Sequence, residues 1–270
     1  MQQTVAAITP FMGRAAIHDS AEKDRQFATT LARGLDVLRA FGPDALRLGN
    51  KDIVARTGLP KATVSRLTYT LTQLGYLRRN AHQNKYELAP QALSLCQPLL
   101  AGFTIRHLAR AALERLAAET GGTAGIAICD RNAMVCIEAV HARTPIPGVE
   151  IGAALPLLSS AAGLAYIAGS TPDERTALLN RLRVQDEAAF RVAEPVLDAS
   201  LEEYRTHGCC IWRGDVVTAA TPLRRPGSEA LVLFCTLLPG DRGAERLVAA
   251  KLAEAVRALE QVARGDGHAA

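Results

Sequence analysis

Aromatic residues make up only 4% of this 270-residue chain, and other scarcities narrow what it can be. Apolar runs such as Ala124 to Cys129 and Leu231 to Leu238 are far too short to cross a bilayer as helices. Met1 to Arg14 lacks the basic start and apolar core of a signal peptide, so a cytoplasmic protein with no membrane partner is expected. Six cysteines, at 96, 129, 136, 209, 210 and 235, include no C-x-x-C pair, which fits a reducing compartment and mostly buried thiols. Cys209 and Cys210, close to His207, admit a metal or redox site, although vicinal cysteines at a strand start are more often small core residues.

Catalytic patterns are missing as well. There is no G-x-S-x-G, no H-E-x-x-H, no P-loop and no dinucleotide fingerprint. The histidines at 18, 82, 107, 141, 207 and 268 are scattered, none at metal-ligand spacing from a second histidine or carboxylate on one helix face. The expectation is a protein that is not an enzyme and needs no cofactor or metal.

What the chain does have is a 49% hydrophobic composition, enough for a sizeable core and two domains, and a net charge of +4 that is unevenly spread. From Phe27 to Pro90 ten bases (Arg33, Arg39, Arg47, Lys51, Arg56, Lys61, Arg66, Arg78, Arg79 and Lys85) stand against four acids, Asp36, Asp44, Asp52 and Glu87. Residues 1–26 balance, so the rest of the chain is slightly acidic and the positive charge belongs to one module. That is the footprint of a nucleic-acid binder.

Within that module the stretch from Gly58 to Tyr76 reads as a tight turn feeding an amphipathic helix. Pro60 suits the first helical position, Val64, Leu67, Leu71 and Leu74 share one face, and Gly75 stops the helix. Lys61, Thr63, Ser65, Arg66, Tyr69 and Thr72 face outward, a set of hydrogen-bond donors suited to phosphates and base edges. A solvated surface helix would normally mix both signs. A helix from about Thr29 to Phe41 and another after Asn50, a plausible N-cap, precede it, and helix, short glycine turn, helix is the helix-turn-helix arrangement. Two short strands around Asn80 to Asn84 follow as a wing, whose Arg78, Arg79 and Lys85 would meet the DNA backbone together with Lys51 and Tyr69. A solvated hairpin with incidental charge is the alternative for the wing alone.

Helical periodicity resumes from Ala92 to Leu99 and from Ile105 to Glu119, ending at Gly121-Gly122. Strands are expected at Thr123 to Cys129, Ala133 to Val140, Val216 to Pro222 and Ala230 to Leu237. Helices are expected at Ser160 to Gly169, Pro172 to Leu182, Val196 to His207 and Ala244 to Ala263, giving an α+β domain. The expected organisation is a flexible arm over 1–26, a DNA-binding domain over 27–90, linker helices over 91–120 and a second domain over 121–270. In the second domain, Ser159, Ser160, Ala161, Ala162 and Gly163 open a helix whose backbone N–H groups a small anion could approach. A plain serine-capped helix with alanines for close packing explains the same residues.

Leu31-Ala32-Arg33-Gly34-Leu35, then Ala55 to Leu67, then Leu74-Gly75-Tyr76-Leu77 resemble the IclR family of bacterial transcriptional regulators. The resemblance continues through Leu155-Pro156-Leu157, Ala161, Gly163 and Ala165, and through Tyr204, Gly208 and Pro222. It implies an α+β protein: a winged helix-turn-helix joined by a linker helix to a GAF-like domain that binds a small, often aromatic or short-chain carboxylate. It also implies a homodimer or homotetramer on double-stranded operator DNA. The chain departs from the family at Leu158-Ser159-Ser160-Ala161, where His-Ala-Thr-Ala is usual, and at Leu164, where Lys is usual. Thr218 stands where a ligand-lining cysteine is common, and bulkier residues around Cys235 replace a small serine-rich run. Thr218 and Cys235 join Ser159 to Gly163 as expected effector contacts, with an effector that is atypical, more apolar, or absent. A small-molecule enzyme or sensor using the basic helix on a protein partner is the alternative from another class.

Overall fold

The computed structural model describes residues 26–143, 145–146, 148–223, 230–238 and 242–265, with the side chains of 242–244 and 262–265 excepted. The expected arm over 1–26 lies outside the described residues apart from Gln26. The chain forms two compact units that meet between Phe103 and Thr104.

The first unit holds α1 (Thr29–Arg39), α2 (Asn50–Thr57), α3 (Lys61–Gln73), β1 (Leu77–Asn80), β2 (Lys85–Leu88), α4 (Pro90–Ser94) and α5 (Gln97–Gly102). Its core is small and specific: Val37, Phe41, Leu48, Ile53, Val64, Leu67, Leu71 and Leu77 are buried together. Helix α2 starts one residue earlier than expected, at its predicted cap. Gly49 is the N-cap and Asn50 the first helical residue, because the Asp52 carboxylate accepts the Gly49 N–H at 2.8 Å and closes the first turn. Gly58 ends α2 with φ +67°, where other side chains would be strained. At the end of α3, Tyr76 N–H donates to Leu71 O at 2.9 Å and Gly75 N–H to Thr72 O at 3.1 Å, a Schellman closure that turns the chain into β1. The wing pairs Leu77 with Leu88, Arg78 with Glu87, Arg79 with Tyr86 and Asn80 with Lys85. Leu48 adds a third edge through a bridge to Tyr86, pinning the hairpin to the loop before α2.

The second unit contains α6 (Ile105–Thr120), β3 (Thr123–Asp130), β4 (Ala133–His141), β5 (Ala154–Pro156), α7 (Ala161–Gly169), α8 (Pro172–Gln185), α9 (Glu187–His207), β6 (Cys210–Arg213), β7 (Val217–Leu223), β8 (Leu231–Leu237) and α10 (Arg242–Gly265). The strands make one six-stranded antiparallel sheet in the order β5-β4-β3-β8-β7-β6. Helices α6 and α10 pack together on one face, and α7, backed by α8 and α9, covers the other. Side chains alternate accordingly along β8. Val232 and Phe234 join the α7 core, while Cys235 meets Thr120 of α6, Sγ to Oγ1 at 3.4 Å.

Three expectations need correction. The single linker over 91–120 divides, because Ile105, Ala109, Ala112, Leu113 and Leu116 of α6 are buried, and this helix packs on β3, β4 and α10 within the second unit. Helix α9 begins at Glu187, not Val196, since Asp186 caps it by accepting the Ala189 N–H at 2.9 Å and Pro195 is tolerated inside it. Strand β5 was not expected, and β6 was anticipated only as a strand start at the vicinal cysteines, without a range; both are short edges of the sheet.

Helix α6 is fixed by a carboxylate. Glu138 on β4 is only 3% exposed; it pairs with Arg106 at 2.9 Å and Arg110 at 3.6 Å. Removing one member of such a set strands the other's charge in a low-dielectric site. Glu138→Ala is expected to lower unfolding free energy by about 3 kcal/mol, with Glu138→Gln costing less because it keeps a hydrogen-bond acceptor. Urea denaturation of both variants checks this; an unchanged midpoint for Glu138→Ala would contradict it.

Candidate functional site

Helix α3 turns its inner stripe into the core, with Val64 at 0% and Leu67 and Leu71 below a tenth exposed. The opposite side is therefore held outward. Lys61, Ser65, Arg66 and Tyr69 are exposed, Thr63 is half-buried, and the helix carries no acid. Thr72, expected outward, is half-buried, and its hydroxyl donates to Thr68 O at 2.7 Å. Lys51 lies exposed in the first turn of α2, and Lys85 stands exposed on the wing.

The acids of this unit are engaged internally. Asp44 binds Arg56 at 2.5 Å, and that guanidinium holds its carboxyl below the usual carboxylate range. Asp52 is the acceptor at the start of α2, and Asp36 is buried. Glu87 receives Arg78 at 2.7 Å and Arg47 at 3.3 Å. Arg78 thus meets a carboxylate directly across the hairpin, which moderates the cation expected of it. Arg79 donates to Asn84 Oδ1 at 2.5 Å, which steadies the turn and leaves the rest of the guanidinium outward. Among the described residues Lys51, Lys61, Arg66 and Lys85 pair with no acid. Their charge faces solvent. The role of Glu87 was legible only as an acid opposite Arg78 once the hairpin register is known.

The expected effector residues do not form one group. Ser160 is the N-cap of α7: its hydroxyl accepts Gly163 N–H at 3.1 Å and donates to Pro156 O at 2.6 Å. Ala161 and Ala162 are buried, and a Cβ on Gly163 would collide with the backbone of Leu157, so this turn is tightly packed. Ser159 remains exposed. Thr218 pairs with Thr236 on the same side of the sheet, hydroxyl to hydroxyl at 3.0 Å. Cys235 does not join them. The pleat turns it to the α6 face, so its expected place beside Thr218 is corrected. Phe234, fully buried, lies instead over Gly125 in the α7 core, where a Cβ on that glycine would strike the ring. A glycine inside an apolar strand was the available signal.

The helix-turn-helix and the sheet domain each have a counterpart among known proteins. The IclR helix-turn-helix domain model matches residues 30–81, and the model for the C-terminal region of bacterial IclR transcriptional regulators matches residues 97–232. The chain belongs to the IclR family of transcriptional regulators. It is similar to an IclR family transcriptional regulator from Brucella abortus, with 35% identity and a TM-score of 0.74 over 94% of this chain and 98% of that one. It is 28% identical to the HTH-type transcriptional regulator TsaQ1/TsaQ2 of Comamonas testosteroni, covering 89% of each. An IclR homolog from Microbacterium hydrocarbonoxydans, solved with 4-hydroxybenzoate, shares the fold: 21% identity and a TM-score of 0.64 over 87% of this chain and 99% of that one.

IclR membership makes this chain a DNA-binding transcriptional regulator and not an enzyme, so the enzyme alternative is set aside. No described helix is long and apolar enough to cross a membrane. Within this IclR-family fold the vicinal cysteines are core residues. Cys209 is 2% exposed and Cys210 0%; burial pushes their thiols up to about 11 and about 12. Raised values leave almost no thiolate at neutral pH, which is the reactive form. Among the described residues no group of histidines, cysteines and acids is placed to hold a metal. Alkylation of the native protein is expected to mark the exposed Cys96 first and to reach Cys209 and Cys210 only after unfolding. Rapid labelling of either in the folded chain, read by peptide mass spectrometry, would restore the redox reading.

Proposed function

We propose that this regulator binds a palindromic operator as a homodimer or homotetramer. Lys61, Thr63, Ser65 and Arg66 read base edges, while Lys51, Tyr69, Arg78, Arg79 and Lys85 hold the backbone. The observation that carries this reading is the exposed, acid-free side of α3, flanked by cations with no internal partner. One recognition helix reaches only a few base pairs, so pairing two heads is the economical route to specificity. Apolar surface supports pairing. Leu31 and Leu35, one turn apart on α1, and Leu93, Leu95 and Leu99 along α4 and α5 are all exposed, and a second copy would cover them.

The second unit takes a small carboxylate, aromatic or short-chain, on the face carrying Ser159 to Gly163 and Thr218. The 4-hydroxybenzoate bound by the Microbacterium homolog supports that chemical class. Effector binding shifts the population of head spacings through α6, which begins where the two units meet. The protein acts in the cytoplasm, where its operator lies.

Arg66→Ala is expected to lower operator affinity by about 1–3 kcal/mol and to relax specificity. Lys85→Ala should weaken operator and random duplex alike. Fluorescence anisotropy with both DNAs separates them; equal losses on the two DNAs for Arg66→Ala would remove it from the base-reading set.

A further inference from the structure

A cavity of about 200 Å³ lies between α10 and the end of α9, on the α6 side of the sheet. Ala249, Leu252, Ala253 and Val256 form one wall along α10, Cys209 and Thr221 form the other, and His207 and Arg257 stand at the rim. It is separated from the face that carries Thr218 by the sheet itself. We propose that this cavity is a second ligand site, specific for a small apolar monocarboxylate.

Size, charge and wall chemistry converge on that class. A dry apolar cavity of roughly 150 Å³ can hold a benzene ring, so this one accommodates a single ring or short chain with its carboxylate at the open edge. The lining contains no acid. Arg257 is exposed and, among the described residues, pairs with no carboxylate, so its guanidinium is free to take a ligand oxygen in a charge-assisted hydrogen bond. His207 adds an imidazole nitrogen at the same rim. The carbonyl end of α9 also lies here and would repel an anion; Arg205 in its last turn is taken up by Glu202 at 3.0 Å, but Gly208 O already accepts the Thr221 hydroxyl at 2.8 Å. That bond also fixes the wall. Cys209, buried with a raised thiol, contributes an apolar surface and no charge.

The site does not rest on the assignment of the effector to the Thr218 face, and the test keeps the two apart. The probes are 4-fluorobenzoate and, as its uncharged counterpart, 4-fluorobenzyl alcohol, titrated against the full chain and followed by fluorine NMR. Ala253→Phe fills the cavity, Arg257→Met removes the rim charge, and Thr218→Phe obstructs the opposite face. The expected result is binding of the acid over the alcohol, abolished by Ala253→Phe and weakened about tenfold by Arg257→Met, the scale of one charge-assisted hydrogen bond. Thr218→Phe should leave it unchanged. Circular dichroism of each variant checks that the fold is intact. Binding that survives Ala253→Phe in a folded protein, or that is lost in Thr218→Phe alone, overturns the second site and places the ligand on the other face. Absence of binding by 4-fluorobenzoate at millimolar concentration also overturns it, while operator binding measured on the same samples stands independently.

Discussion

The outward chemistry of the first unit depends on how completely α3 buries its inner stripe. Val64, Leu67 and Leu71 enter a core shared with Val37, Ile53 and Leu77, and that packing fixes the helix's rotation about its own axis. A helix turned by a third of a revolution would bury Arg66 or Lys61 without a partner, which is far costlier than exposing a leucine. The apolar stripe therefore decides which residues face outward. The acids complete the arrangement by pairing inward: Asp44 with Arg56, Asp52 with the α2 backbone, Glu87 with Arg47 and Arg78. Among the cations left over, Lys51, Lys61, Arg66 and Lys85 sit on α2, α3 and the hairpin.

The second unit uses the two sides of a single sheet for different purposes. On the α6 side, Glu138 draws in Arg106 and Arg110, and Lys251 of α10 bridges to Glu119 of α6 at 3.1 Å, so the helix that follows the junction between units is held by charge as well as by its buried alanines and leucines. On the α7 side, Phe234 over Gly125 and the close approach of Gly163 to Leu157 make a tightly filled core. The bulk expected near Cys235 from the sequence is real, and Phe234 is the residue that supplies it. A ligand on that side meets a different floor from one lined by small serines.

Much of this was legible in the sequence because strong periodicity coincided with strong punctuation. Pro60 and Gly75 bracket α3, Gly121 ends α6 and Pro172 opens α8, and the hydrophobic spacing between such marks is unambiguous. Where punctuation was weak, the reading failed. The helix expected from Val196 begins at Glu187 behind an aspartate cap, and Pro195 lies inside it. Strand β5, of three residues, is too short to show a period. Helix α6 read as a connector because its alanine-rich face does not reveal what it packs on. For the candidate site, most of the outward set on α3 followed from helical spacing, with Thr72 the exception, but the engagement of Glu87 and the turning of Cys235 to the α6 side required strand register, which no local pattern specifies.

The central claim is that the exposed face of α3 meets DNA while the free cations of α2 and the wing, Lys51 and Lys85, meet phosphates. The most direct measurement is the affinity of the full chain for its own upstream DNA across a range of salt concentrations. Each phosphate neutralised contributes a slope of about −0.9 to log K against log salt. Several such contacts should therefore give a steep linear fall, shallower by about one unit per contact in each of Lys51→Ala and Lys85→Ala. Binding that is insensitive to salt, or slopes that these substitutions leave unchanged, would contradict the account.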